Sequence, residues 1–194
     1  MALDQGDFEH GQTVFEEALG IFREPESKLG QRTMLLGLGN VSAFLGDYER
    51  AEEYHQESYD LARQINDEGR TTDALMGLGQ VARLQGAYAR ANNLLRRCLA
   101  YYFEAGLGGD LVLALEQLAS LARAQGNFRR AARLFGRSEA MRQQLSYARF
   151  PYQQPEYERE AAEIQQALGE EAFAEEWDKG AAMELEEAVT YASS

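Results

Sequence analysis

Gly46-Asp47-Tyr48-Glu49-Arg50-Ala51 returns 40 residues on as Gly86-Ala87-Tyr88-Ala89-Arg90-Ala91 and again as Gly126-Asn127-Phe128-Arg129-Arg130-Ala131. An earlier copy, Gly6-Asp7-Phe8-Glu9-His10-Gly11, stands at the same spacing. A fixed period between about 20 and 50 residues is the mark of stacked supersecondary units, each of which needs its neighbours to bury its apolar face. The chain therefore reads as a tandem array, and arrays of this kind work by presenting a surface.

Outward from each glycine, two helical patterns flank the motif. Leu35, Leu38, Val41 and Leu45 precede the second glycine, matched by Leu75, Leu78 and Val81 and then by Leu115, Leu118 and Leu121. Their spacing of three and four places them on one helical face, called helix A here. Helix B follows the glycine, with Tyr48, Ala51, Tyr54, His55, Ser58 and Leu61 matched by Tyr88, Ala91, Leu94, Leu95, Cys98 and Tyr101, and by Phe128, Ala131, Leu134, Phe135, Ser138 and Met141. Gly39, Gly79 and Ala119 are expected to face Ala51, Ala91 and Ala131, letting the two backbones approach. Asn66, Asp67 and Gly69, and Gly106, Gly108 and Gly109, read as breakers between units.

The pattern Leu-x-x-Leu-Gly, then Gly-x-aromatic with a small residue three further on, resembles the tetratricopeptide repeat over roughly residues 3–145. It departs in its 40-residue period and in lacking the proline that often closes a unit. Longer units of this sort resemble the repeat regions of bacterial signal-transduction (STAND) ATPases and of LuxR-type transcription regulators. Arg130–Leu145, Pro155–Trp177 and Leu185–Val189 resemble the segment that ends those regions, with Glu184 standing where a capping Ser or Thr is common. The resemblance implies an all-α, right-handed α-solenoid of helical hairpins. Its divisions are a partial first repeat over 1–29, repeats over 30–69, 70–109 and 110–145, a linker over 146–155, and an acidic helical cap over 156–194.

Composition narrows the function. The net charge of −13 argues against direct nucleic-acid binding, which depends on Lys and Arg at phosphates. The charge is unevenly placed: −9 over residues 1–70, +6 over 71–150 and −10 over 151–194. Arg123, Arg129, Arg130, Arg133, Arg137 and Arg142 are accordingly expected to face the acidic tail, with Phe173 and Trp177 packed inward. No stretch approaches the roughly 20 apolar residues of a membrane span, and the lone Cys98 fits a reducing, cytoplasmic setting.

No catalytic, metal or cofactor constellation is expected. His55 aligns with Phe15, Leu95 and Phe135, so it reads as a core histidine whose nitrogens are satisfied nearby. His10 has no partner at metal spacing, and Cys98 aligns with Ala18, Ser58 and Ser138 in a small-residue slot. Gly37-Leu38-Gly39 and Gly77-Leu78-Gly79 lie inside helix A, where no phosphate loop can form.

The remaining face of helix A is the expected concave binding face. It carries Thr33, Leu36, Asn40, Ala43 and Phe44, then Asp73, Met76, Gln80, Arg83 and Leu84, then Leu113, Glu116, Ser120 and Arg123. Candidate contacts are Asn40, Phe44, Asp73, Met76, Gln80, Arg83, Glu116, Ser120 and Arg123, apolar groups excluding water and polar ones orienting a ligand. Arg83 and Arg123 read as exposed sites whose loss spares the fold. The function these readings support is a non-enzymatic sensor and scaffold that binds a protein, peptide or small inducer, within a bacterial regulator or signalling ATPase. The alternative is a free-standing peptide receptor of the quorum-sensing type. Ala2–Gln5 align with the final turn of helix A, so the first helix B is expected to lack a neighbour. That implies a longer protein, or a homodimer through the N-terminal helix.

Overall fold

A computed structural model describes residues 8–23 and 27–194; Gly6, Asp7 and Ala2–Gln5 lie outside them. Among the described residues there are ten helices and no strand: α1 Phe8–Arg23, α2 Lys28–Phe44, α3 Tyr48–Gln64, α4 Glu68–Leu84, α5 Tyr88–Glu104, α6 Gly108–Ala124, α7 Phe128–Leu145, α8 Gln154–Leu168, α9 Glu170–Ala181 and α10 Leu185–Ser193. The fold is all-α and built of helical hairpins, as the sequence implies. Gly69, Gly108 and Gly109 belong to the first turns of α4 and α6 instead of breaking the chain.

The turns explain the repeat. Helix α2 closes with the Gly46 amide donating to the Ala43 carbonyl (3.2 Å) and the Asp47 amide to the Ser42 carbonyl (2.9 Å). This is the paired bond of a Schellman motif, which needs one residue in the left-handed conformation. Gly46 takes it at φ +82°, and Gly86 and Gly126 repeat it at +78° and +76°. The same bonds close α3, α5 and α7, where the left-handed residues are Asn66, Gly106 and Ser146, at φ 54°, 67° and 50°. Left-handed positions thus recur every 20 residues, at 46, 66, 86, 106, 126 and 146. The residue after the turn opens the next helix: Asp47, Asp67 and Asn127 side chains accept from the amides of Arg50, Arg70 and Arg130, an N-cap worth about 1 kcal/mol each.

Ser146 is the costly member of this series. An L residue other than Asn or Asp gives up about 1–2 kcal/mol in the left-handed region, whereas glycine there costs only backbone entropy. Ser146→Gly is expected to stabilise the protein by about 0.5–1 kcal/mol, read as a raised midpoint in urea. An unchanged or lowered midpoint would show that the serine side chain matters there.

The helices form two compact units, the first closing at Leu94 and the second opening at Leu95, so the division falls inside α5. In the first, α2 packs against α1, α3 and α4. Leu19, Leu35 and Leu38 form its core with Phe15, Met34, Tyr54 and Leu61 packed around them. A smaller cluster of Ala43, Ala51 and Val81 is closed by Tyr48 and Leu84. Glycines seat rings here: Phe22 lies on Gly30, Phe15 on Gly37, and His55 between Gly39 of α2 and Gly77 of α4. The space at Gly39 thus goes to the His55 ring, not to Ala51 as expected, because the imidazole is the larger group and needs room on both sides. On α1, Val14 and Ile21 remain 44% and 67% exposed, while Phe15 is half-buried.

In the second unit, Leu111, Leu115 and Leu118 of α6 and Leu134, Phe135 and Met141 of α7 are buried, each contributing about 1.5–3 kcal/mol. Helix α9 lies directly against α7, for a Cβ on Gly136 would meet the Trp177 carbonyl and one on Gly180 the Arg133 backbone. Phe173 and Trp177 contact each other with ring centroids 5.3 Å apart, both half-buried. Glu184 precedes α10 without a side-chain cap.

Candidate functional site

In the first unit the candidate residues lie on α2 and α4, which touch directly. Asn40 and Phe44 sit one turn apart on α2, and Met76, Gln80 and Arg83 line one stripe of α4 with Asp73 at its head. Asn40, Met76 and Gln80 are half-buried. The two amides hydrogen-bond to no other described residue, so each presents unused donors and an unused acceptor beside an apolar thioether. Phe44 stacks on Phe8, centroids 4.7 Å apart, and so serves packing. Asp73 pairs with Arg70 at 2.9 Å. Arg83 is only 5% exposed; it is not the free surface group its periodicity suggests, because neighbouring packing covers the stem.

In the second unit the candidates Glu116, Ser120 and Arg123 are engaged by the chain itself. Helix α8 packs against both α7 and α6, and the Ser120 hydroxyl donates to Glu160 at 2.5 Å. Arg123 donates to Glu160 at 3.0 Å and to Glu163 at 2.7 Å. Glu116 accepts both arms of Arg142, each at 2.8 Å, and one from Arg149 at 2.7 Å. Arg149 lies 3.5 Å over the Tyr157 ring. Burial foremost, with Glu139 and Glu116 adding, pushes the Tyr157 hydroxyl up to about 12. An open cleft of about 570 Å³ beside this network is lined by Glu139, Arg142, Gln143, Tyr147, Arg149 and Tyr157, and its charged groups already pair among themselves and with Glu116.

The arginine run meets the acidic tail. Arg129 and Arg133 hold the buried Glu176, and the Arg133 hydrogen bond keeps that carboxyl below its usual range against the opposing effect of burial. Arg130 donates to the Ala192 carbonyl at 2.9 Å and lies over Tyr191. Arg142 instead turns to Glu116 of α6. Arg137 is buried and pairs with no carboxylate among the described residues.

His55 differs from its expected state. It is fully buried, yet neither ring nitrogen has a hydrogen-bond partner. Burial lowers its pKa to about 4, so it is neutral at physiological pH and offers no acid or base to solvent. Among the described residues no group of three His, Cys, Asp or Glu is placed to hold a metal, and no helix is long and apolar enough to cross a membrane.

A tetratricopeptide repeat model matches residues 30–104, and a second tetratricopeptide repeat model matches residues 114–146. The chain belongs to the tetratricopeptide repeat family. No curated protein matches it. Tetratricopeptide repeats are as a rule non-catalytic scaffolds for protein interaction. What the repeat pattern could not reveal is that α8 covers the third full repeat. Glu160 and Ile164 are buried on one stripe of that helix while Glu158, Arg159, Gln165 and Gln166 are exposed, an amphipathic signal that locates a buried face without saying which repeat it covers.

Proposed function

We propose that this tetratricopeptide repeat protein is a non-enzymatic interaction module whose first unit binds a protein or peptide on the inner face of α2 and α4. The observation that carries this reading is the pair of half-buried, unengaged amides of Asn40 and Gln80 beside Met76. Both amides reach solvent, and an extended or helical peptide supplies donors and acceptors that take the place of water on them. The likeness of residues 130–189 to the end of bacterial regulator and signalling-ATPase repeat regions supports a cytoplasmic sensor role in which occupancy, by a polypeptide or a small inducer, passes to a linked domain. The apolar Val14 and Ile21 on α1 support pairing of two copies through that helix.

A photo-crosslinker at position 76 tests the binding face. It is expected to capture a partner that one at the exposed Glu53 does not, and Asn40→Ala with Gln80→Ala is expected to reduce capture at least about tenfold, the loss of two hydrogen bonds. Equal capture from both positions, or capture indifferent to the double substitution, would end this reading.

A further inference from the structure

The face of α6 that carries Glu116, Ser120 and Arg123 is already occupied, and by a helix held in a manner unlike the rest of the C-terminal segment. Helix α9 meets α7 backbone to backbone at Gly136 and Gly180. Helix α8 reaches α6 through side chains: one guanidinium, Arg123, set between the carboxylates of Glu160 and Glu163 one turn apart, with the Ser120 hydroxyl on Glu160. Its apolar anchors are Ile164, fully buried, and Tyr157, edge-on to Phe135 at 5.4 Å. A joint stands at each end. Ser146 turns left-handed at φ 50° before the non-helical residues 147–153, and Gly169, at φ 80° and ψ 157°, separates α8 from α9. Between them lies α8, while Gly136, Gly180 and the Arg133–Glu176 pair hold α9 on α7.

We propose that α8 is a resident occupant of a helix-docking face, and that the partner for this face is an acidic amphipathic helix with carboxylates at i and i+3 and an aliphatic side chain at i+4, the pattern of Glu160, Glu163 and Ile164. This deepens the interaction-module reading and rests on it. An incoming helix of that pattern replaces each ion pair of α8 like for like, so the exchange leaves no buried charge alone. A helix without the carboxylates strands Arg123 in a site only 18% open to solvent at that side chain, an unfavourable exchange. The joints set the threshold: a tethered α8 competes at an effective concentration in the mM range, so the face opens only to a helix that binds well or when α8 is loosened. In the first unit the positions equivalent to Ser120, Asn40 and Gln80, have no such occupant among the described residues.

The probe is a fluorescent peptide of residues 154–168, titrated into the full chain and into the full chain carrying Glu160→Gln and Glu163→Gln. The double variant is expected to bind the peptide at least tenfold more tightly than the parent chain. Adding Arg123→Leu to it, or placing the two Gln substitutions in the peptide, should remove binding. Hydrogen exchange should show α9 protected throughout and α8 deprotected when peptide is bound. Glu163→Gln alone, at a half-exposed carboxylate, is the second variant, expected to gain about threefold should the double variant not fold. No peptide binding to a folded, loosened chain, or binding indifferent to Arg123, overturns the proposal. Peptide failure with capture at position 76 intact leaves the interaction module standing without this partner, and the reverse result removes the first-unit face while keeping this one.

Discussion

Gly180→Ala is expected to destabilise this protein by about 3 kcal/mol, the upper end of what overpacking costs. Most tight contacts relax because a side chain swings aside. Here the methyl group would meet the backbone of Arg133, and the neighbouring contact sets Gly136 against the carbonyl of Trp177, so neither atom can move without its helix. Helix α9 must lift, which draws Glu176 away from Arg133 and Arg129 and uncovers the half-buried Phe173 and Trp177. Gly136→Ala should act in the same way and by a similar amount. Gly20 on α1 is the control, since a Cβ there has nothing within 4 Å, and Gly20→Ala should stabilise by up to about 1 kcal/mol through helix propensity. Urea denaturation of the three variants decides it. Equal effects at Gly20 and Gly180 would show that α7 and α9 are not in backbone contact.

Acid is expected to destabilise the parent chain well above the range in which carboxylates titrate, and His55→Leu is expected to remove that part of the loss. The imidazole lies between Gly39 and Gly77 without a partner for either nitrogen, and burial lowers its pKa from 6.5 to about 4. The unfolded chain takes up a proton near pH 6.5 while the folded chain refuses it until about pH 4. Stability from this group is therefore complete above pH 6.5 and is lost as pH falls toward 4, a change of about 3 kcal/mol. Leucine suits the site because Leu95 occupies the equivalent position and is fully buried. The measurement is the unfolding free energy from pH 8 to pH 4.5 for parent and variant. The curves should converge at neutral pH to within about 1 kcal/mol and separate progressively below pH 6.5, and parallel curves would mean that the histidine is solvated or hydrogen-bonded.

Much of the fold is local and so was readable. Leu35, Leu38 and Val41 and their repeats mark one face of each helix A because a helix returns every 3.6 residues. Gly46, Gly86 and Gly126 mark the turns because the left-handed residue of a Schellman motif favours glycine. The 20-residue spacing beneath the 40-residue repeat was hidden, since Asn66 and Ser146 adopt the same conformation without the same residue. Sequence by itself likewise put His55 in the core, from the apolar residues at its equivalent positions. That it has no hydrogen bond was decided by glycines on two different helices, one before it and one after it, which leave space for the ring but offer it nothing polar. The same division holds at the candidate site. Periodicity assigns Asn40, Gln80, Ser120 and Arg123 to one kind of face, because a helix's own geometry sets which residues share a stripe. Only tertiary structure distinguishes the first unit, where the Asn40 and Gln80 amides stay unengaged, from the second, where Ser120 and Arg123 are bound by carboxylates from about 40 residues further along the chain. Which surface is left open depends on what long-range packing brings over it, and no local period carries that information.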